Sequence, residues 1–265
     1  MAVLQRPNAG KVALITGASA GIGRAFAEVF AAEGFDLVLT ARRLDRLAAV
    51  ANDLHAKHGI TATTLVEDLA DPAAPARLMA NLSDRGIVPS ALVNNAGYGV
   101  PGNYAETPWT PHAEFIQVLV TAGCHLTHLA LPRMLEQRYG RIINVASVAG
   151  LLPGAPAATL YAAAKAFMIK FSQSLSQELA GTGVNVTAVC PGFTRSEFHD
   201  VTGSRDEMNK LPRWVWLTAE RVAREGFNAV NRGIPVTVNG TIYRGITRMA
   251  RLIPDTWTAA LMRRR

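Results

Sequence analysis

Val12-Ala13-Leu14-Ile15-Thr16-Gly17-Ala18-Ser19-Ala20-Gly21-Ile22-Gly23 is the stretch whose reading decides how this chain folds. Its first four residues are apolar without alternation, as in a strand covered on both faces. Glycines follow at 17, 21 and 23, and an Ala-rich stretch from about 22 to 33 has helical composition. Between a strand and a helix, such glycines permit a tight turn. They also let the backbone approach a ligand and let the helix pack close to the sheet. The helix start then offers unpaired N–H groups and the positive end of a dipole, a seat for phosphate or pyrophosphate. A glycine triplet by itself is equally an ordinary turn. Its place directly after an apolar strand and before a helix favours a phosphate cradle formed by Gly17, Ser19, Ala20, Gly21, Ile22 and Gly23.

Working outward, the same alternation continues. Short β-branched or apolar runs at 37–40, 61–66, 92–94, 141–145, 184–189 and 236–238 predict strands. Helical patterns occupy 44–58, 75–85, 111–137, 161–179 and 219–231. Strand and helix repeated in this order predict an α/β fold: a Rossmann-like, doubly wound parallel sheet flanked by helices on both faces. With 265 residues the expectation is a single domain over 1–265. Residues 192–217 hold Gly203, Ser204, Pro212 and two tryptophans and read as a substrate lid. Residues 241–265 read as a basic C-terminal extension.

Composition narrows the classes. Apolar residues make up 49% and charged residues 18%, which suits a globular chain rather than a disordered one. No uninterrupted apolar run reaches about 18 residues, so a membrane span is not expected. Residues 1–10 lack a basic-then-apolar export pattern, and Cys124 and Cys190 lie in apolar segments as buried thiols would. Both features lead to the expectation of a cytoplasmic protein, with no metal site. Of the net charge of +7, the end of the chain supplies +5: Arg244, Arg248, Arg251, Arg263, Arg264 and Arg265 against Asp255. No basic stripe with interleaved aromatics runs through the body, so nucleic acid is not an expected partner. The tail reads as a solvated helix face and frayed end, with a weak contact to an anionic membrane surface as the alternative.

Catalytic chemistry is suggested by Tyr161 and Lys165, four residues apart in Tyr-Ala-Ala-Ala-Lys and therefore on one helix face. A phenol titrating near 10 is a poor base at neutral pH, and a nearby ammonium would lower that value. Ser147 follows the apolar strand at 141–145, at the end where open α/β sheets place ligands, and its hydroxyl could stabilise an oxyanion. It could equally cap a turn. At the end of the second strand stand Ala41, Arg42 and Arg43, where an acidic residue would bind both ribose hydroxyls of NAD. Guanidinium groups there suit the extra phosphate of NADP instead, although two surface arginines opening a helix are the plainer alternative.

The cradle, Asp68, the run Asn94-Asn95-Ala96-Gly97, Ser147, Tyr161-x-x-x-Lys165 and Pro191-Gly192 follow in order over residues 11–196. On these marks the chain resembles the short-chain dehydrogenase/reductase family, as an NADP-preferring bacterial reductase-like member. The resemblance implies NADP (NADPH) as cofactor. Asp68 and Leu69 would lie at the adenine, and Asn95, Ala96 and Gly97 along the dinucleotide. Lys165 would also hold the nicotinamide ribose, and Pro191, Gly192, Phe193 and Ser196 would orient the carboxamide. It further implies a homodimer or homotetramer through the helices at 111–137 and 161–179. One position departs. The asparagine that the family usually carries in the fourth helix falls on Leu119, unless a shifted register brings Gln117 or Thr121 there.

The expected activity is hydride transfer between nicotinamide and a mostly apolar ketone or aldehyde, or the matching secondary alcohol. The small-molecule pocket should be walled by residues 98–104, 151–158 and 193–216, contributing Tyr98, Tyr104, Leu151, Leu152, Phe198, Trp214 and Trp216. Leu119 keeps open the alternative of an NADP(H)-binding sensor or scaffold with weak or no turnover.

Overall fold

Side chains alternate along each strand, and both faces of this sheet are covered. In strand β1 (Val12–Thr16), Ala13 and Ile15 are fully buried in one apolar cluster and Leu14 in another. The pattern repeats in β2 (Asp36–Ala41), where Leu37 and Leu39 face one cluster and Val38 the other. A computed structural model describes residues 7–154, 159–195 and 212–250 of the chain. In it β1, β2, β3 (Ala62–Val66), β4 (Pro89–Asn94), β5 (Gly140–Val145), β6 (Val184–Cys190) and β7 (Val236–Val238) form one parallel sheet of seven strands, in the order β3-β2-β1-β4-β5-β6-β7.

On one face lie α1 (Gly21–Ala32), α2 (Leu44–His58) and α7 (Ala219–Asn231). Phe30, Phe35 and Phe227 lock α1 to α7 edge to face, with Phe30 at 5.0 Å from each of the others. The opposite face is covered by α3 (Ala74–Asp84), α4 (Trp109–Ile116), α5 (Ala122–Glu136) and α6 (Thr159–Glu178), through Leu78, Phe115, Leu126, Met134 and Leu175. The fold is the doubly wound parallel sheet that the alternating pattern predicts.

The differences have physical causes. Strand β4 starts at Pro89, three residues before the expected 92, because a proline is tolerated as the first residue of a strand. The expected helix 111–137 begins at Trp109, with Pro111 in its first turn, and is not uniform. Residues Gln117–Thr121 wind as a π-helix between α4 and α5. The continuous stretch Trp109–Glu136 is long and apolar enough to cross a membrane by length and composition alone. Polar residues interrupt every apolar run in it, but its mean hydropathy stays high. Its buried apolar side chains, Phe115, Val118, Leu119, Ala122, Leu126, Ala130 and Met134, belong to the core on this face of the sheet. The start of the basic extension is a helix, α8 (Thr241–Ala250), whose Tyr243 is buried. Arg251 and Arg263 to Arg265 lie outside the described residues.

The neighbours β1 and β4 are where the winding reverses, so the segments after them diverge and leave a crevice. Thr16 ties the two strand ends together. Its buried hydroxyl donates to Val93 O (3.2 Å) and accepts from Asn95 N (2.9 Å) and Ala96 N (3.0 Å). Thr16→Val keeps the shape and strands both amides, so the stability in urea denaturation is expected to fall by about 2 kcal/mol.

Candidate active site

The cradle is built from close approaches that only glycine allows. Gly17 (φ +64°) and Gly21 (φ +54°) occupy the left-handed region, and a Cβ at Gly17 would meet Asn95 Nδ2 at 2.8 Å. Gly23 plays a different part. A Cβ there would lie 2.3 Å from Gly17 O, so this glycine lets the first turn of α1 close on the loop and does not itself border the cleft. The N-cap Ala20 gives α1 no side-chain cap, and the first turn holds no acidic residue. The helix therefore presents uncapped N–H groups to whatever sits above them, which fits an anionic group. Asn95, expected along the dinucleotide, spends its amide on Thr16 O (2.9 Å) and Gly17 O (3.3 Å) and so holds the cradle to β4.

From the cradle a cleft of about 770 Å³ runs across the carboxyl ends of the strands. It is bordered by Gly17, Ser19, Ala20, Gly21, Ile22, Arg42, Arg43, Asp68, Leu69, Asn95, Ala96, Gly97, Ser147, Tyr161, Lys165, Pro191, Gly192 and Phe193. All the sequence-predicted site residues except Gly23 and Ser196 thus come together, and Ser196 lies outside the described residues. At one end Arg43 donates to Ser19 Oγ (3.3 Å), and Arg42, largely exposed, stands 4.0 Å from Asp68. Asp68 accepts from Ala70 N at 3.0 Å. No carboxylate occupies the end of β2, where Ala41 borders the cleft.

At the other end Ser147, Tyr161 and Lys165 converge. Lys165 is buried and its Nζ donates to Val145 O at 2.8 Å. Burial holds the ammonium down to about 8, with Cys190 working weakly against it. Its Nζ lies 5.6 Å from the centroid of the Tyr161 ring. Burial pushes the Tyr161 phenol up, and a hydrogen bond with Ser147 opposes the rise. Ser147 Oγ accepts from Ala149 N at 3.1 Å, which leaves the hydroxyl proton for that phenol. The lysine was expected to lower the phenol; desolvation raises it instead, opposed by Ser147 and not by the lysine, and Tyr161 stays protonated at neutral pH. Among the described residues no group of three or more His, Cys, Asp or Glu could hold a metal ion.

Several expectations for the pocket wall need correction. Tyr98 and Leu152 border the cleft, but Tyr104 is half exposed and stacks on His112. Leu151 packs with Ala146, Ile169 and Cys190, and Trp214 is exposed. Trp216 tilts against Phe193 without bordering the cleft. Phe198 and most of the expected lid lie outside the described residues. The register question is closed: Leu119, not Gln117 or Thr121, shares a small cavity with Lys165. Phe193 was expected to offer its backbone to a carboxamide. Its N–H instead donates to Tyr243 Oη (3.1 Å), and its carbonyl accepts from Leu217 N (2.8 Å).

Sequence reasoning missed Tyr243. The residue was read as part of a basic tail, yet its ring presses so close to Gly192 that a Cβ there would lie 2.1 Å from Cζ. Its hydroxyl also donates to Val215 O at 2.7 Å, and with Ile246 it closes the cleft. The available signal was the helical spacing of Tyr243 and Thr247, both buried, within the arginine-rich segment.

Comparison with known proteins agrees with this geometry. The family model described as short chain dehydrogenase matches residues 11–207. Sulfoacetaldehyde reductase of Chromohalobacter salexigens is 38% identical over 221 residues, covering 80% of this chain and 85% of that one. Very-long-chain 3-oxoacyl-CoA reductase of Rattus norvegicus is 34% identical over 195 residues, covering 72% of this chain and 62% of the longer rat protein. A short-chain dehydrogenase from Sphingobium yanoikuyae, solved in complex with NADPH, superposes with a TM-score of 0.77 at 34% identity, covering 86% and 87% of the two chains. The chain belongs to the short-chain dehydrogenase family and is an oxidoreductase.

Burial of Lys165 has a measurable consequence. Its value of about 8 in the folded protein lies below the 10.5 of an exposed lysine, so burial costs stability while both states are protonated. As pH rises from about 8 towards 10.5 the folded state loses the proton first and that cost is relieved. Lys165→Met removes the titration. The unfolding free energy of the cofactor-free wild type minus that of the variant is expected to rise over this window, by at most about 3 kcal/mol.

Proposed function

We propose that the chain is an NADP(H)-dependent carbonyl reductase or alcohol dehydrogenase acting on a mostly apolar ketone, aldehyde or secondary alcohol. The observation that carries this reading is the meeting of Ser147, Tyr161 and Lys165 at one end of a cleft whose other end is a glycine cradle flanked by Arg42 and Arg43. The uncapped start of α1 would take the pyrophosphate, and the two guanidinium groups would take the ribose phosphate. When bound, a nicotinamide dinucleotide supplies or accepts the hydride. Tyr161, protonated at neutral pH, donates its proton to a carbonyl oxygen during reduction. Ser147 holds the same oxygen with its hydroxyl. Lys165, charged below about pH 8, stabilises the phenolate that remains.

Val118, Leu152, Phe193 and Ile246 border the cleft and favour an apolar substrate. Among the described lining residues the cations are Arg42, Arg43 and Lys165, and all three already have a role in this reading. A strongly anionic substrate would therefore meet no further cation on these walls. Leu119 favours a second reading, in which NADP(H) is bound with little turnover because the helix offers Lys165 no polar side chain.

Two experiments separate the readings. Tyr161→Phe is expected to lower kcat about a thousandfold in NADPH-consumption assays over a panel of ketones and aldehydes, while NADPH binding is retained. Tight NADPH binding by the wild type with no turnover on any carbonyl would establish the second reading instead. Replacing Arg42 and Arg43 together with alanine is expected to weaken NADPH binding by about 10- to 100-fold and to leave NADH binding nearly unchanged. Equal losses for both coenzymes in calorimetry would remove the assignment to the ribose phosphate.

A further inference from the structure

The π-helical residues Gln117–Thr121 carry Leu119 to the wall of a small second cavity next to the catalytic end of the cleft. It measures about 10 Å³, the size that admits one water molecule. Thr16, Asn94, Leu119, Gly123 and Lys165 are on its wall. Thr16 is fully used in tying β1 to β4, and Leu119 has no polar atom.

The other two polar side chains are not provided for. Asn94 Oδ1 is buried and has no hydrogen-bond partner. Turning the amide round does not remedy this. Its Nδ2 faces Gly123 O (3.2 Å), Thr127 Oγ1 (3.1 Å) and Asn144 Oδ1 (2.8 Å). Thr127 already donates to Gly123 O and Asn144 Nδ2 to Ser172 Oγ, so all three groups facing Nδ2 are acceptors. A reversed amide would set oxygen against oxygen on every side, which fixes Oδ1 as the unpaired acceptor. Lys165 has the complementary deficit. Its ammonium carries three N–H donors in a buried setting, and Val145 O takes one. A buried acceptor without a donor and a buried cation with donors to spare each cost free energy, and they border the same cavity.

We infer that one buried water occupies this cavity, accepting from Lys165 Nζ and donating to Asn94 Oδ1, so that Asn94 on β4 provides the polar contact that Leu119 cannot. Asn94 is then a positioning residue. Through the water it holds the ammonium between two fixed points, Val145 O and the water, and so keeps it beside the Tyr161 ring. The placement of the water needs only the geometry. Its effect on rate rests on the reading of Lys165 given under Proposed function.

Gly123→Ala tests the inference without disturbing Asn94. A Cβ there meets Met168 Cε at 3.4 Å and Asn94 Cγ at 3.5 Å, ordinary contacts against two residues that border the cavity. The position lies in α5, where alanine is favoured over glycine by about 1 kcal/mol, so the variant folds. Crystals of the wild type that resolve ordered solvent are expected to show one water bonded to both Lys165 Nζ and Asn94 Oδ1, and crystals of the variant none. NMR titration of carbon-labelled lysine in the cofactor-free protein is expected to show Lys165 of the variant losing its proton at lower pH. In turnover, kcat is expected to fall about tenfold with NADPH affinity retained. A dry cavity in the wild type overturns the inference, as does a variant whose Lys165 titration and kcat are unchanged. A wild type that reduces no carbonyl would refute the proposed function alone, since solvent density and lysine titration are read without turnover.

Discussion

The hydroxyl of Thr16 is the point on which this site depends. A doubly wound sheet opens a crevice where its winding reverses, and the ends of β1 and β4 there carry backbone groups that no strand can satisfy. One buried hydroxyl serves three of them. Asn95 then reaches across to the carbonyls of Thr16 and Gly17, and Gly23 lets α1 close on the same loop. The cradle loop is thus tied to β1 and β4 and to the start of α1 by the chain's own groups.

At the other end of the cleft the organising fact is a charge placed out of water. Burying Lys165 is unfavourable, and the structure offsets the cost with Val145 O at the carboxyl end of β5. The same burial raises the neighbouring phenol. Tyr161 thus keeps its proton at neutral pH, with Ser147 hydrogen-bonded to it. Desolvation, not the mutual charge that four-residue spacing on a helix suggests, is the largest influence on both groups.

Much was legible in the chain. Apolar strands such as ALIT and LVLT announce burial on both faces, because strands between two helical layers have no solvent side. The glycines at 17, 21 and 23 mark close backbone approaches wherever they occur, and Tyr161 and Lys165 must share a helix face. Less was legible where a residue's part depends on a distant neighbour. Tyr104, Leu151, Trp214 and Trp216 looked like pocket walls by position, yet Tyr104, Leu151 and Trp216 pack elsewhere and Trp214 is exposed. Tyr243 looked like part of a charged tail, yet it sits over Gly192 and takes the Phe193 amide.

The sequence by itself determined the layered α/β architecture and the glycine-rich turn between β1 and α1, since these follow from local periodicity and from the conformations open to glycine. Tertiary structure alone decided that Leu119 rather than Gln117 or Thr121 stands beside Lys165, that Asn94 keeps an unpaired acceptor there, and that α8 closes the cleft. A π-helical turn shifts side-chain register without any marker in composition. Desolvation and hydrogen-bond completion are properties of an enclosed space, which exists only after distant segments have met.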